Sequence, residues 1–273
     1  MMNTYLTYQN KEIFYRIVGN GKPVAFIHGF GEDGEVWRNQ IEFLKDNLPA
    51  GEAGFKLIIP DLPGSGKSEM IDDMSMEGIA KVIHFIIRQE NIDSVVIIGH
   101  SMGGYITLAF AEKYPQCLKA FGLFHSSAYA DSEEKKEIRR KGIEFINQHG
   151  AFEFLKTSTP NLFSPKTKDE QPELIDQFIS GLNNFSAPAL VSYYEAMIQR
   201  PDRTGTLKKA TVPILFIMGE LDKAVPLQDG LRQCHLPEKS YIHILRRSGH
   251  MGMLEEADTS NQMLENFLLE ICP

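Results

Sequence analysis

The residues best suited to chemistry are a serine set between glycines, Gly99-His100-Ser101-Met102-Gly103, and an aspartate and a histidine far downstream of it. A turn of the form G-x-S-x-G between a strand and a helix lifts a serine hydroxyl clear of the sheet, and its glycines allow close backbone approach. The pentapeptide here follows the β-branched run Val95-Val96-Ile97-Ile98 and precedes a stretch with Tyr105, Ile106, Ala109 and Phe110 at helical spacing, which is that placement. A serine hydroxyl is a poor nucleophile at neutral pH. It needs a base to take its proton, and the base needs a carboxylate to fix its tautomer and stabilise the imidazolium. The chemistry expected is acyl transfer to Ser101 and from there to water. A glycine-rich turn whose serine merely caps a helix is the plainer alternative, and it leaves the other motifs unexplained.

The two partners are expected on loops after later strands, in the order Ser, Asp, His. Asp222 lies in Gly219-Glu220-Leu221-Asp222 after the apolar run Val212 to Met218, and His250 lies in Ser248-Gly249-His250-Met251-Gly252 after Tyr241 to Leu245. Glu220 and Asp229 are rival acids on the same segment. Of the eight histidines, His84, His149, His235 and His243 fall in or beside predicted helices or a strand, and the His100 ring is expected to point away from its neighbour Ser101. Backbone N–H groups of Met102, after the nucleophile, and Phe30, after the third strand, are the expected oxyanion donors. His28 is read as a brace of that loop rather than a proton carrier.

These residues need a scaffold that brings strand ends together. Asn3 to Tyr8 and Glu12 to Ile17 read as a hairpin about a turn at Gln9 to Lys11, and Pro23 to Ile27 as a third strand running into His28-Gly29-Phe30-Gly31. Trp37, Ile41, Leu44 and Leu48 recur at helical spacing, Phe55 to Ile59 form a strand, and Ile79, Val82, Ile83 and Ile86 mark a second helix. Strands at Ser94 to Ile98 and Leu118 to Phe124 flank the serine turn and its helix, which runs to about Tyr114. The region from about 126 to 203 looks helical throughout. Strand and helix alternation then resumes and ends in a helix with Met263, Leu264, Phe267, Leu268 and Ile271 on one side. Alternation of this kind implies an α/β fold with a mostly parallel sheet covered on both faces.

Together, His28-Gly29-Phe30-Gly31, Asp61-Leu62-Pro63-Gly64-Ser65-Gly66-Lys67-Ser68, Gly99 to Gly104, Gly219 to Asp222 with Pro226, and Gly249-His250 resemble the α/β-hydrolase superfamily, in its capped esterase and lipase-like branch. The resemblance implies an eight-stranded core sheet, a triad of Ser101, Asp222 and His250, no cofactor and no catalytic metal. It implies a core domain of residues 1–125 and 204–273, with 126–203 inserted as a helical cap. Serine at 101 argues against the dehalogenases and epoxide hydrolases of the superfamily, which place aspartate there. Gly64 to Ser68 imitates part of a phosphate-binding loop, but the full motif needs glycine where the chain has Asp61. Asp61 is read instead as an organiser of neighbouring backbone amides.

Composition narrows the partners. With 273 residues, 42% hydrophobic and 23% charged, the chain can bury one large core rather than two independent ones. Its 36 acidic and 28 basic residues leave a charge of -8, with no basic cluster fit for a phosphate backbone, so nucleic acid is not an expected partner. No run approaches the roughly 18 apolar residues of a membrane span, and the N-terminus lacks the form of a secretion signal, so the expected location is cytoplasmic. Three widely spaced cysteines suggest neither disulfides nor zinc. The expected partner is a small or medium acyl substrate, read as uncharged because the basic residues of the insertion gather in a solvated-looking run, Lys135 to Lys141. The activity expected is carboxylic ester hydrolysis. Lactone, thioester or carbon–carbon hydrolysis, or a lyase or acyl transferase on the same triad, are alternatives, and a ligand receptor of this fold is a further one.

Overall fold

Residues 1–46 and 54–272 are described in a computed structural model. Leu48 of the first predicted helix lies outside them. Eight strands, β1 (Met2–Tyr8), β2 (Lys11–Val18), β3 (Lys22–Ile27), β4 (Phe55–Pro60), β5 (Val95–His100), β6 (Leu118–Phe124), β7 (Ile214–Gly219) and β8 (Ser240–Leu245), form one sheet in the order β1-β2-β4-β3-β5-β6-β7-β8. The pairs β1–β2 and β2–β4 are antiparallel and the others parallel. Gln9 and Asn10 both take positive φ, the two-residue turn whose twist suits a hairpin. The expected bounds shift slightly: β5 continues through Gly99 and His100, and β7 starts at Ile214, just after Pro213.

Side chains alternate across this sheet into two cores. On one side lie Ala25, Ile27, Val95, Ile97, Ile214 and Phe216, and on the other Val24, Phe26, Val96, Ile98, Leu215 and Ile217. Such central strands are apolar on both faces because helices cover both. Helices α1 (Arg38–Asp46) and α2 (Met76–Gln89) fall on opposite faces. Helix α3 (Met102–Lys113) joins α2, and the C-terminal helix joins α1. Trp37, predicted as part of the first helix, closes a 3₁₀ turn, Gly34–Trp37, that leads into α1.

Between β6 and β7 the chain is helical, as predicted, with α4 (Glu133–His149), α5 (Ala151–Ser158), α6 (Pro165–Glu170), α7 (Pro172–Ser180), α8 (Ala187–Gln199) and α9 (Thr204–Lys209). Ser132, Ser164 and Ser186 cap α4, α6 and α8 by accepting from backbone amides. The aromatics of this helical stretch join the cores of the sheet: Phe154 and Phe185 one and Phe163 the other, while Phe152 is exposed. Tyr193, fully buried on α8, donates its hydroxyl hydrogen to the Pro63 carbonyl (2.6 Å) and meets Ser65 Oγ (2.9 Å), tying α8 to the loop after β4. Helices α10 (Leu227–Leu231), α11 (Gly252–Glu255) and α12 (Ala257–Ile271) complete the chain. No described helix is long and apolar enough to cross a membrane.

Candidate active site

The chain runs from β3 out to β4 on one side and returns to β5 on the other, so the loops after β3 and β5 diverge and leave a crevice at the carboxyl edge of the sheet. Crevices of this kind are where open α/β sheets place ligands. Ser101 stands there, directly after β5, with φ 50° and ψ −115°. Gly99 and Gly103 permit the turn, because a Cβ on Gly99 would collide with the Gly103 carbonyl and one on Gly103 with the Ile27 carbonyl. The Ser101 backbone is pinned by its N–H to Phe124 O (2.9 Å), and its carbonyl accepts from Gly104 N (2.9 Å) and Ser126 Oγ (2.7 Å).

All three predicted triad members meet. Ser101 Oγ lies 2.8 Å from His250 Nε2, and His250 Nδ1 lies 2.7 Å from Asp222 Oδ2. The other Asp222 oxygen accepts from the backbone amides of Ala224 (2.8 Å) and Val225 (2.9 Å), so the loop after β7 folds around its own carboxylate. Of the rival acids, Glu220 is exposed and Asp229 pairs with Lys135 (3.4 Å). Burial opposes charge on His250, but the Asp222 carboxylate and its hydrogen bond outweigh that, with Glu32 and Glu255 adding, and hold the imidazole above its ordinary value. For Asp222, burial is likewise overcome by the charges and hydrogen bonds of His250 and His125, and its carboxyl is held far below the usual range.

Two further histidines brace the site, His28 as the sequence suggested and His100 in addition. His28 Nε2 accepts from Leu62 N (2.9 Å) and Nδ1 donates to Gly29 O (2.9 Å), joining the loops after β3 and β4. The His100 ring turns from Ser101 and spans Glu32 Oε2 (3.0 Å, from Nδ1) and the His250 carbonyl (3.0 Å, from Nε2). A carbonyl only accepts, so Nε2 carries hydrogen. Burial disfavours charge on Glu32, yet His100 and the Gly29 amide pull its carboxyl below the usual range. Asp61 accepts from the amides of Gly34 (3.1 Å) and Lys67 (3.0 Å) and from Arg16 (3.2 Å), the organising role read from the sequence. The histidine that sequence reasoning missed is His125, whose Nδ1 lies 3.1 Å from Asp222 Oδ2. It directly follows β6, and the only local signal was a polar residue where the buried strand ends.

A cavity of about 270 Å³ opens over Ser101 and His250. Phe30 and Glu32 from the β3 loop line it on one side, and Ile138, Arg139, Tyr194 and Met197 of α4 and α8 on another. Phe30 and Tyr194 stack nearly parallel (7°, centroids 4.3 Å), and Arg139 lies 5.5 Å over the Tyr194 ring. Met102, the other expected oxyanion donor, opens α3 next to Ser101. Lys135 and Lys223 also face the cavity, so the run Lys135 to Lys141 is not wholly turned to solvent as expected. The basic run on α4 is amphipathic, and four-residue spacing turns Lys135 and Arg139 toward the site while its other cations stay outside. Arg139 is held by the buried Asp131 (2.5 Å), which also pairs with Arg200 (2.9 Å), whereas Lys223 has no ion pair among the described residues. Among the described residues, the donor atoms of His125, Asp222 and His250 lie close enough to suggest a metal, but these atoms already hydrogen-bond one another in buried surroundings.

Residues 22–140 match the sequence model of the alpha/beta hydrolase fold. A thermophilic esterase from Thermogutta terrifontis, solved with malate bound, superposes with a TM-score of 0.90 and 27% identity over 100% of both chains. The chain has the α/β-hydrolase fold. Among its sequence relatives is 2-hydroxy-6-oxononadienedioate/2-hydroxy-6-oxononatrienedioate hydrolase 1 of Pseudomonas putida, 29% identical over 94% of this chain and 91% of the relative. The enzyme of that name from Escherichia coli K12 is also 29% identical, over 94% and 90%. The enol-lactonase of Burkholderia xenovorans LB400 shares the fold with a TM-score of 0.87 at 20% identity, over 97% of this chain and 100% of the other.

Proposed function

We propose that this chain is a serine hydrolase that cleaves a bond to a carbonyl carbon in a small, carboxylate-bearing substrate, and that the bond is carbon–carbon, next to a ketone. The observation that carries the reading is the continuous hydrogen-bonded line from Ser101 Oγ through His250 to Asp222. Ser101 attacks the carbonyl carbon while His250 Nε2 takes the hydroxyl proton, and Asp222 holds the ring and balances the imidazolium. The N–H groups of Phe30 and Met102 receive the oxyanion. Collapse breaks the bond to the leaving group, which takes the proton from His250, and water then releases the acyl group by the same steps.

Two observations support the choice of bond and charge. The relatives named above act on a hydroxy-keto diacid, and the cavity here places Lys135, Arg139 and Lys223 around the serine in a chain of overall negative charge. A carbon leaving group must spread its electron pair onto a conjugated carbonyl before it is protonated, and such substrates are anionic. The insertion serves as the cap that supplies two of these cations from α4. Ester hydrolysis, the expectation from sequence, stands as the second reading, favoured by the Thermogutta esterase. The test is turnover of a 2-hydroxy-6-oxodienoate against p-nitrophenyl esters from acetate to octanoate, with fluorophosphonate labelling of the same sample. Labelling at Ser101 and a kcat/KM at least a hundredfold higher for the keto acid are expected. Turnover of esters alone would select the second reading, and folded protein without labelling or turnover would remove both.

A further inference from the structure

We infer that His125 is a positioning residue for the catalytic carboxylate, donating its Nδ1 hydrogen to Asp222 so that one aspartate is held by two histidines. The inference rests on the triad reading above. Asp222 has four lone-pair positions to satisfy, and four donors meet them: two backbone amides at Oδ1, with His250 Nδ1 and His125 Nδ1 at Oδ2. A carboxylate only accepts, so both imidazoles present N–H to it. His125 Nε2 is buried and has no hydrogen-bond partner among the described residues, so it has no acceptor to hold a second proton. The ring is therefore neutral. Burial agrees, pushing His125 down to about 4 although Asp222 pulls the other way.

The berth is built for this ring. His125 has φ 50°, and its backbone N–H reaches across to the Ile217 carbonyl of β7 (2.8 Å), which fixes where the side chain leaves the sheet. Gly219 and Gly252 clear the space: a Cβ on Gly219 would lie 2.8 Å from His125 Cε1, and one on Gly252 would collide with Nε2. The two amides at Oδ1 alone would leave the second oxygen, the one that orients His250, with a single partner. The His125 N–H fixes the plane of the carboxylate and draws off part of its charge, so His250 is stabilised as imidazolium less than it would otherwise be. The titratable groups that face the pair are His250 and His100, with Glu32 and Glu255 acting on His250.

Two variants and one spectrum test this. His125→Asn keeps an N–H near the Nδ1 position and His125→Gly removes it, and both residue types accept the positive φ. His125→Asn is expected to stay within about threefold of wild type in kcat/KM, and His125→Gly to lose roughly tenfold to hundredfold, the scale of one hydrogen bond to a charged group. The acidic limb of the His125→Gly pH profile should move to higher pH, which loss of mere packing would not cause. In ¹⁵N-histidine NMR of the wild type, His125 should be the Nδ1–H tautomer and remain neutral below pH 6. A wild-type Nε2–H tautomer overturns the inference whether or not the variants fold. So does a folded His125→Gly protein with unchanged rate and acidic limb, provided that wild-type Ser101 is labelled by fluorophosphonate. Failure of wild-type labelling instead removes the triad reading itself.

Discussion

At the carboxyl edge of the sheet, polar side chains are held by backbone: Asp222 by the amides of its own loop, Asp61 by those of Gly34 and Lys67, and Glu32 by Gly29. Across the cavity, Arg139 of α4 is held by side chains, pairing with Asp131, which also pairs with Arg200, and packing over Tyr194 of α8. Backbone amides in tight turns have little freedom to rearrange, whereas long side chains on helices can repack. The first arrangement suits groups whose geometry must be fixed before the reaction, and the second suits groups that adapt to what is bound. The contrast teaches that substitutions on the sheet edge should act on the chemical step and those on the helices on binding.

The largest test of that contrast is Ser101→Ala, expected to lower kcat by on the order of 10⁴ to 10⁶, with Asp222→Asn costing about 10⁴ through the wrong His250 tautomer. Steady-state kinetics decide this, and a mild Asp222→Asn beside a damaging Glu220→Gln would show that the acid is misassigned. Next in size is an acid effect on stability. His125 takes up a proton near pH 6.5 in the unfolded chain but only near 4 in the folded one. As the pH falls between these values the unfolded state gains the proton and the native state does not, so the wild type loses stability, by about 3 kcal/mol in full. The raised His250 does not mask this, because its contribution is already complete below its unfolded value. Urea denaturation at pH 6.0 and 4.5 should show a larger loss in wild type than in His125→Asn, which keeps His84 and His243, both also lowered by burial. The smallest effect belongs to the helix side of the cavity. Lys135→Gln on α4 should raise KM for carboxylate-bearing substrates about threefold to tenfold, leaving kcat and neutral esters unchanged. A fall in kcat with constant KM would break the contrast.

The sheet and the triad were legible in sequence because their signals are local. An apolar β-branched run, a glycine-flanked serine and a strand followed by Gly-x-x-Asp each announce a strand end within a few residues. Asp61, His28 and the turn of the His100 ring away from Ser101 were readable for the same reason, since loop motifs fix their neighbours. His125 was not, because its meaning lies in Asp222 and His250, which are 97 and 125 positions away, and in two distant glycines that admit its ring. The run Lys135 to Lys141 was misread as wholly solvated because composition does not say which face of α4 turns inward. Trp37 kept its helical spacing but closed a 3₁₀ turn, since periodicity does not separate a helix from the turn that enters it.

Ser101 sits at φ 50° and ψ −115°, a conformation that a side chain disfavours and that the surrounding hydrogen bonds impose. Strain of this kind costs on the order of 1–3 kcal/mol, so Ser101 is a standing burden on the native state. Relief is available from glycine alone. Ser101→Gly should therefore abolish turnover and at the same time raise the melting temperature, giving an inactive protein more durable than the active one.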